Sequence, residues 1–380
     1  MSDDLLLSVE HLSVELPHGG DRSHAVSDVS LSVGRNEIVC LVGESGSGKS
    51  ITAHAVLGLL PSGLEIGTGA IKFSGEDIAH ASEDAMRGLR GGPISMIFQE
   101  PLSALNPLAR VGQQIAEAIL VHASPRPSRA ELDARVLELI TAVGLPDPAT
   151  LVRSYPFQLS GGQRQRVMIA MAMANNPALL LADEPTTALD VTTQQQILGL
   201  IRRLQAERGM GVLFITHDFG VVADIADRVV VMRNGRVVEQ GSVDEVLRRP
   251  KDDYTKALIA AVPGSRPASK VARDIEGEPL LEAHGLNKTF VTSQGLFRPA
   301  RTTAAVRDVA LSLRPRETVA VVGESGSGKS TPVNALTPPI EAPTTAAIAA
   351  ISSSIWMKTP PAFGSSTDSR SAISEDGVIG

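Results

Sequence analysis

Gly43-Glu44-Ser45-Gly46-Ser47-Gly48-Lys49-Ser50 matches the pattern GxxxxGK[ST]. In such a stretch the glycines let the backbone bend tightly, so successive N–H groups and the following helix N-terminus point at phosphate oxygens. Lys49 reaches the β- and γ-phosphates of a bound triphosphate, and the Ser50 hydroxyl ligates Mg²⁺. A second cluster, Leu179-Leu180-Leu181-Ala182-Asp183-Glu184, is an apolar strand ending in two carboxylates. Asp183 can hold Mg²⁺ through water there, and Glu184 can polarise an attacking water. A third, Leu159-Ser160-Gly161-Gly162-Gln163, opens a long helical pattern. Ser160 at its N-cap, with the free N–H groups of Gly161 and Gly162, makes a further anion-binding terminus. Met168, Met171 and Met173 on the same helix suit core packing.

The elements that must position these groups follow from hydrophobic pattern. Strands at about 6–16 and 25–33 lead to the apolar strand 38–42, which enters the glycine-rich loop. A helix then runs from Ser50 toward Leu60 before Pro61. The stretch at roughly 110–145 is helical, with Ile115, Ile119, Leu132, Val136, Leu139 and Ile140 at helical spacings. Buried-type strands follow at 179–181, 212–215 and 229–231, and Asn234-Gly235 is a hairpin signal before Val237-Val238. Short apolar strands separated by helices predict an α/β fold with a mostly parallel sheet covered on both faces.

The chain of 380 residues predicts two or three domains. Residues 25–50 and 305–330 repeat one another, including all of GESGSGKS, so two homologous units begin at about residues 5 and 279. The polar, Pro-containing stretch 264–278 has linker composition. After Thr331 the second copy becomes rich in Ser, Thr, Ala and Pro, and Pro338-Pro339 cuts its helix short. The expected division is therefore 1–263 as a complete unit with a helical part at about 85–160, then 264–278 as linker. A fragment of a second unit follows at 279–330, and 331–380 is a disordered or out-of-frame tail. Lys and Arg number 35 against 42 Asp and Glu, a net charge of −7, and aromatics are 3%. Neither a nucleic-acid backbone nor a base-stacking platform is served by that balance. The single cysteine, Cys40, sits in an apolar run and suits a core position in a reducing compartment. No apolar stretch approaches the roughly 20 residues of a membrane span, and Met1-Ser2-Asp3-Asp4 is unlike a signal peptide. A soluble cytoplasmic chain is expected.

In order and together, these motifs resemble the nucleotide-binding subunit of an ABC transporter over residues 5–263. The resemblance adds a Q-loop glutamine at Gln99, a D-loop at Ala188-Leu189-Asp190 and a switch histidine at His217. It implies a P-loop NTPase core with an N-terminal antiparallel β-subdomain and a helical signature subdomain. ATP and Mg²⁺ are the implied ligands, sandwiched between two units. Lys49, Ser50 and Asp183 of one unit would hold them, and residues 160–163 of the other would close over the γ-phosphate with Asp190 beside them. Glu184 is then the water-polarising base, His217 the γ-phosphate contact, and Gln99 a Mg²⁺ and water ligand. The stretches 96–115, 155–172 and 248–263 are similar to the oligopeptide, dipeptide and nickel importer branch, with Asp253 where proline is usual. Two units in tandem resemble the fused form of that branch. Leu16 stands where the family usually places an adenine-stacking aromatic, whereas the second copy has Phe290. Implied partners are integral membrane permease subunits, a second nucleotide-binding unit and, indirectly, an external solute-binding protein. No nucleic acid is implied, and the location is the cytoplasmic face of the inner membrane. Two alternatives stay open: a truncated ATP-binding fragment that does not cycle, and a soluble ATPase of this type acting on ribosome or DNA.

Overall fold

The structure, a computed structural model, describes residues 5–17, 22–187, 189–262, 277–292, 301–323, 327–329 and 331. It divides into two compact units, Met1–Ser269 and Lys270–Gly380. In the first, β1 (Leu5–Glu15) and β2 (His24–Gly34) pair antiparallel, with Leu7, Val9, Leu12 and Val14 buried along β1. β3 (Ile38–Val42) is buried throughout and runs into the glycine-rich loop and α1 (Lys49–Val56). The helix stops at Val56 instead of reaching Leu60. Gly58, at φ +60°, donates its N–H to Ala55 O while Leu59 donates to His54 O, which is a glycine C-cap. β4 (Glu65–Phe73) and β5 (Glu76–Asp77) complete a four-stranded antiparallel sheet in the order β2-β1-β4-β5.

The middle of the unit is helical. α2 (Glu83–Leu89) precedes β6 (Ile94–Ile97), followed by α3 (Pro101–Ala104), α4 (Val111–Leu120), α5 (Arg129–Ala142), α6 (Pro148–Leu151) and α7 (Gly161–Ala172). The chain then returns to the main sheet through β7 (Leu179–Asp183), α8 (Val191–Arg208), β8 (Gly211–Thr216), α9 (Phe219–Ile225), β9 (Arg228–Arg233) and β10 (Arg236–Ser242). α10 (Val243–Arg248) and α11 (Asp253–Ala260) close the unit.

The main sheet has the order β10-β9-β3-β8-β7-β6. Every neighbouring pair from β9 to β6 is parallel, and only β10 runs against its neighbour. The turn between β9 and β10 is Asn234-Gly235, at φ +50° and +79°, the hairpin expected for that dipeptide. Side chains alternate between two cores: Ile38, Cys40 and Val42 of β3 face the helical side, while Val39 and Leu41 face β1 and β2. Register brings the strand ends level, with Val42 opposite Thr216, Asp183 opposite Ile215 and Ile97 opposite Ala182.

In the second unit β11 (Leu281–Thr292) and β12 (Arg301–Leu313) form an antiparallel pair, with Leu281 opposite Leu313 and Thr292 opposite Arg301. Most of the expected linker, Ala188 and everything after Thr331 lie outside the described residues. Among the described residues no helix is long and apolar enough to cross a membrane.

Candidate active site

The glycine-rich loop leaves β3 pressed against its neighbours. At Gly43, φ is +149° and a Cβ would lie 2.2 Å from Met232 O; at Gly48, φ is +103° and a Cβ would meet Ala25 O at 3.0 Å. Any other residue at either position would collide with backbone and take a disfavoured conformation. The hairpin turn braces the loop from behind, Gly235 N–H donating to Ser47 O at 3.0 Å. Lys49 lies buried at the start of α1, and its Nζ donates to Gly43 O at 2.8 Å and Glu44 O at 2.9 Å. Burial pulls its pKa down, opposed by the charges of Glu184 and Asp183.

Asp183 ends β7, the strand separated from β3 by β8. Ser50 Oγ donates to Asp183 Oδ1 at 3.1 Å. Burial pushes the Asp183 carboxyl up, against the Ser50 hydrogen bond. A buried carboxylate beside a hydroxyl is a hard-oxygen donor pair, which suits Mg²⁺. Among the described residues there is no group of three or more His, Cys, Asp and Glu able to hold a metal. Two protein oxygens with the remaining positions left to phosphate and water is the pattern Mg²⁺ takes at nucleotide sites.

Glu184 follows at φ +45°, a conformation unusual for a non-glycine residue, with its N–H bonded to Ile215 O. Its carboxylate is held by three side chains. Oε2 accepts from Gln99 Nε2 at 3.1 Å and from Thr187 Oγ1 at 2.9 Å, and Oε1 lies 3.2 Å from His217 Nδ1. Burial pushes this carboxyl up, but the hydrogen bonds from Thr187 and His217 and the charges of His217 and Lys49 outweigh it and leave it below the usual value. Gln99 follows β6 and His217 follows β8, so Lys49, Ser50, Gln99, Asp183, Glu184 and His217 gather at one edge of the sheet. Lys49, Ser50, Gln99 and Glu184 line an open cleft of about 190 Å³ together with Ser45, Gly46 and Gly48.

The remaining expected residues form a separate cluster. Ser160 caps α7, its Oγ accepting from Gln163 N–H while Gln163 Oε1 accepts from Ser160 N–H. Gly162 lets α7 approach α8, since a Cβ there would stand 2.6 Å from Thr193 Cγ2. Asp190 caps α8, accepting from the N–H and hydroxyl of Thr193. None of residues 160–163 or Asp190 lines the Lys49 cleft.

Three further residues touch the site. Arg22 donates to Gly46 O at 3.3 Å and lines the cleft. Thr187 holds Glu184, and the Tyr254 hydroxyl accepts from Glu44 N–H at 3.1 Å. Of these only Thr187 carried a local signal, a hydroxyl three residues beyond the carboxylate. Leu16 packs at the edge of the β1–β2 core and donates its N–H to Ser23 O. In the second unit Lys329 Nζ donates to Gly323 O, and a Cβ at Gly328 would meet Ala305 O, both as in the first copy. Glu324, Ser325, Gly326 and Ser330 lie outside the described residues.

A glycine-rich loop on a central strand of a parallel sheet, with Asp-Glu at the end of a strand one removed, is the arrangement of the P-loop NTPase fold. Residues 26–187 match the ABC transporter family. Over 369 residues it is 46% identical to the glutathione import ATP-binding protein GsiA of Salmonella choleraesuis (strain SC-B67), covering 88% of this chain and 59% of that protein. It is 47% identical over 329 residues to the peptidoglycan transport ATP-binding protein YejF of Agrobacterium fabrum (strain C58), covering 86% and 59%. The chain thus spans less than two thirds of the length of these relatives. Among solved structures, the ATP-binding cassette MJ0796, a dimer in a post-hydrolysis state with ADP and Pi, superposes with a TM-score of 0.57 at 29% identity. That alignment covers 63% of this chain and 99% of MJ0796. CbiO1 from Clostridium perfringens, part of the ABC transporter complex cbiONQ, gives 0.55 at 29% identity, over 65% and 92%.

Proposed function

We propose that the first unit binds and hydrolyses ATP to energise an ABC importer, with peptides or peptide-containing solutes as cargo. The observation that carries this is the convergence of Lys49, Ser50, Asp183 and Glu184, with Gln99 and His217 on the Glu184 carboxylate, at one sheet edge. Phosphoryl transfer to water asks little covalent chemistry of a protein, so the work is positioning and charge stabilisation. Lys49 leaves its loop carbonyls for the β- and γ-phosphates. Gln99 and His217 turn from Glu184 toward the γ-phosphate and the attacking water, while Thr187 keeps the carboxylate in place. Glu184 Oε1 then polarises that water. Ser50 and Asp183 would hold Mg²⁺, which when bound neutralises charge on the phosphate oxygens.

Residues 160–163 and Asp190 complete the site of a second unit, supplied by another copy or by a partner, because they do not line their own cleft. Cargo is inferred from the relatives named for glutathione and peptidoglycan transport. Permease subunits dock on the 85–155 region at the cytoplasmic face of the inner membrane, and an external solute-binding protein delivers cargo to them. An apolar groove there contains Leu59, Met96 and the exposed Phe98, whose neighbour Gln99 touches Glu184. Pressure on Phe98 is therefore one residue from the reacting groups.

The test is sedimentation of purified Glu184→Gln chain with and without MgATP, alongside wild-type turnover. An ATP-dependent dimer and measurable wild-type hydrolysis support a self-pairing ATPase. A monomer that binds ATP points to a partner unit, or to the non-cycling fragment if wild type hydrolyses nothing after addition of an intact cassette. A chain that binds no ATP overturns the proposal.

A further inference from the structure

The last helix of the first unit, α11, reaches the phosphate loop, a contact that the resemblance of 248–263 to the importer branch does not assign. Tyr254, in the first turn of α11, is 9% exposed, and its hydroxyl accepts the Glu44 N–H from 210 residues away in sequence. The peptide joining Gly43 to Glu44 is consequently held at both ends. Its N–H goes to the Tyr254 hydroxyl, and its carbonyl, Gly43 O, accepts from Lys49 Nζ. Rotating that peptide costs both bonds at once.

Tyr254 is itself fixed from two sides. The Arg233 guanidinium lies 4.7 Å from its ring centroid, on the same hairpin that braces Ser47. The chain leading into α11 is tied to β10, where Glu239 accepts from the N–H groups of Lys251 and Asp252. Asp252 in turn caps the helix through Tyr254 N–H. A continuous path runs from β10 through the helix start to the first peptide of the loop.

We propose that Tyr254 is a positioning residue of the nucleotide site. Its hydroxyl fixes the first peptide of the phosphate loop, so residues 249–262 tune the affinity of the loop for triphosphate. The proposal rests on the assignment of this cleft to ATP. Tyr254→Phe would keep the Arg233 stack while removing the hydroxyl.

The experiment compares the full wild-type chain with Tyr254→Phe. Affinity for MgATP is read with a fluorescent ATP analogue, and amide hydrogen exchange is followed at Glu44 and across α11. Loss of one hydrogen bond of ordinary net worth predicts about three- to tenfold weaker nucleotide binding. Turnover at saturating ATP stays within about twofold, because no group that acts in phosphoryl transfer has changed. Exchange at Glu44 accelerates while exchange in α11 and the melting temperature hold. A merely structural tyrosine gives the opposite pattern, faster exchange across α11 and a lower melting temperature with unchanged affinity, and that result overturns the proposal. Wild type that binds no nucleotide overturns both this proposal and the site assignment; wild type that binds, with Tyr254→Phe binding equally well, overturns this one alone. Should Tyr254→Phe fail to fold, Glu239→Gln loosens the tether without touching the loop, and the same pair of readouts applies.

Discussion

The octapeptide GESGSGKS occurs twice, and at its described residues the two copies differ more in setting than in conformation. Gly43 and Gly323 take φ of +149° and +156°, and in each copy the lysine donates to the carbonyl of the first glycine. The strand leading into the first loop is wholly buried between β8 and β9. The corresponding residues 318–322 pair with no strand among the described residues, and Val319, Val321 and Val322 are 39%, 49% and 87% exposed. The geometry shared by the described glycines and lysines therefore does not depend on flanking strand partners. A site is tertiary: it needs the neighbouring strands whose ends carry Asp183, Glu184 and His217.

Glu184→Gln would break the comparison most severely. It should retain ATP yet lose turnover by about 10²–10³-fold or more, as expected for removal of a positioned base; steady-state phosphate release decides it. Next, Lys49→Ala should lower ATP affinity by at least about tenfold, the cost of losing a charge-assisted phosphate contact, whereas Lys329→Ala should leave binding unchanged. Equal losses in an equilibrium binding assay would mean that the second loop is also a site. The copies differ again at Leu16 and Phe290. Leu16→Phe should tighten nucleotide binding by about three- to tenfold through base stacking, and no change would show that adenine does not lie there. The smallest effect concerns pH. The Glu184 carboxyl sits below its usual range, so it stays ionised, and turnover persists, until pH falls through that depressed value. Thr187→Val removes one of the groups that depress it, and the acid limb of the turnover profile should then move to higher pH.

Strands β3, β7, β8 and β9 were legible because each is a continuous apolar run buried on both faces. β4 was not, since Gly67 and Gly69 interrupt its alternation; Gly69 sits at φ +100° where a Cβ would strike Leu12 Cα. β6 is four residues long, too short to stand out by periodicity. The residues that gather around Glu184 lie in contiguous motifs, so the resemblance could find them. Arg22 reaches the loop through a contact across 24 residues, and Tyr254, although it lies in the 248–263 stretch that carries the resemblance, through one across 210, so neither contact could be read locally. The separation of residues 160–163 from their own cleft agrees with the resemblance, which gives them to the nucleotide of another unit.

The level ends of the parallel strands impose a counting rule on this family of sites. Thr216 stands opposite Val42, and Asp183 opposite Ile215, so the side chains of the proposed site all start from one line across the sheet. Because strand side chains alternate between faces, losing a single residue from β8 would send His217 to the wrong side and draw it away from Glu184. The interior tolerates the exchange of one branched aliphatic for another at modest cost. Strand length has no such latitude, so descendants of this sheet are free to rewrite the chemistry of its core while keeping its arithmetic.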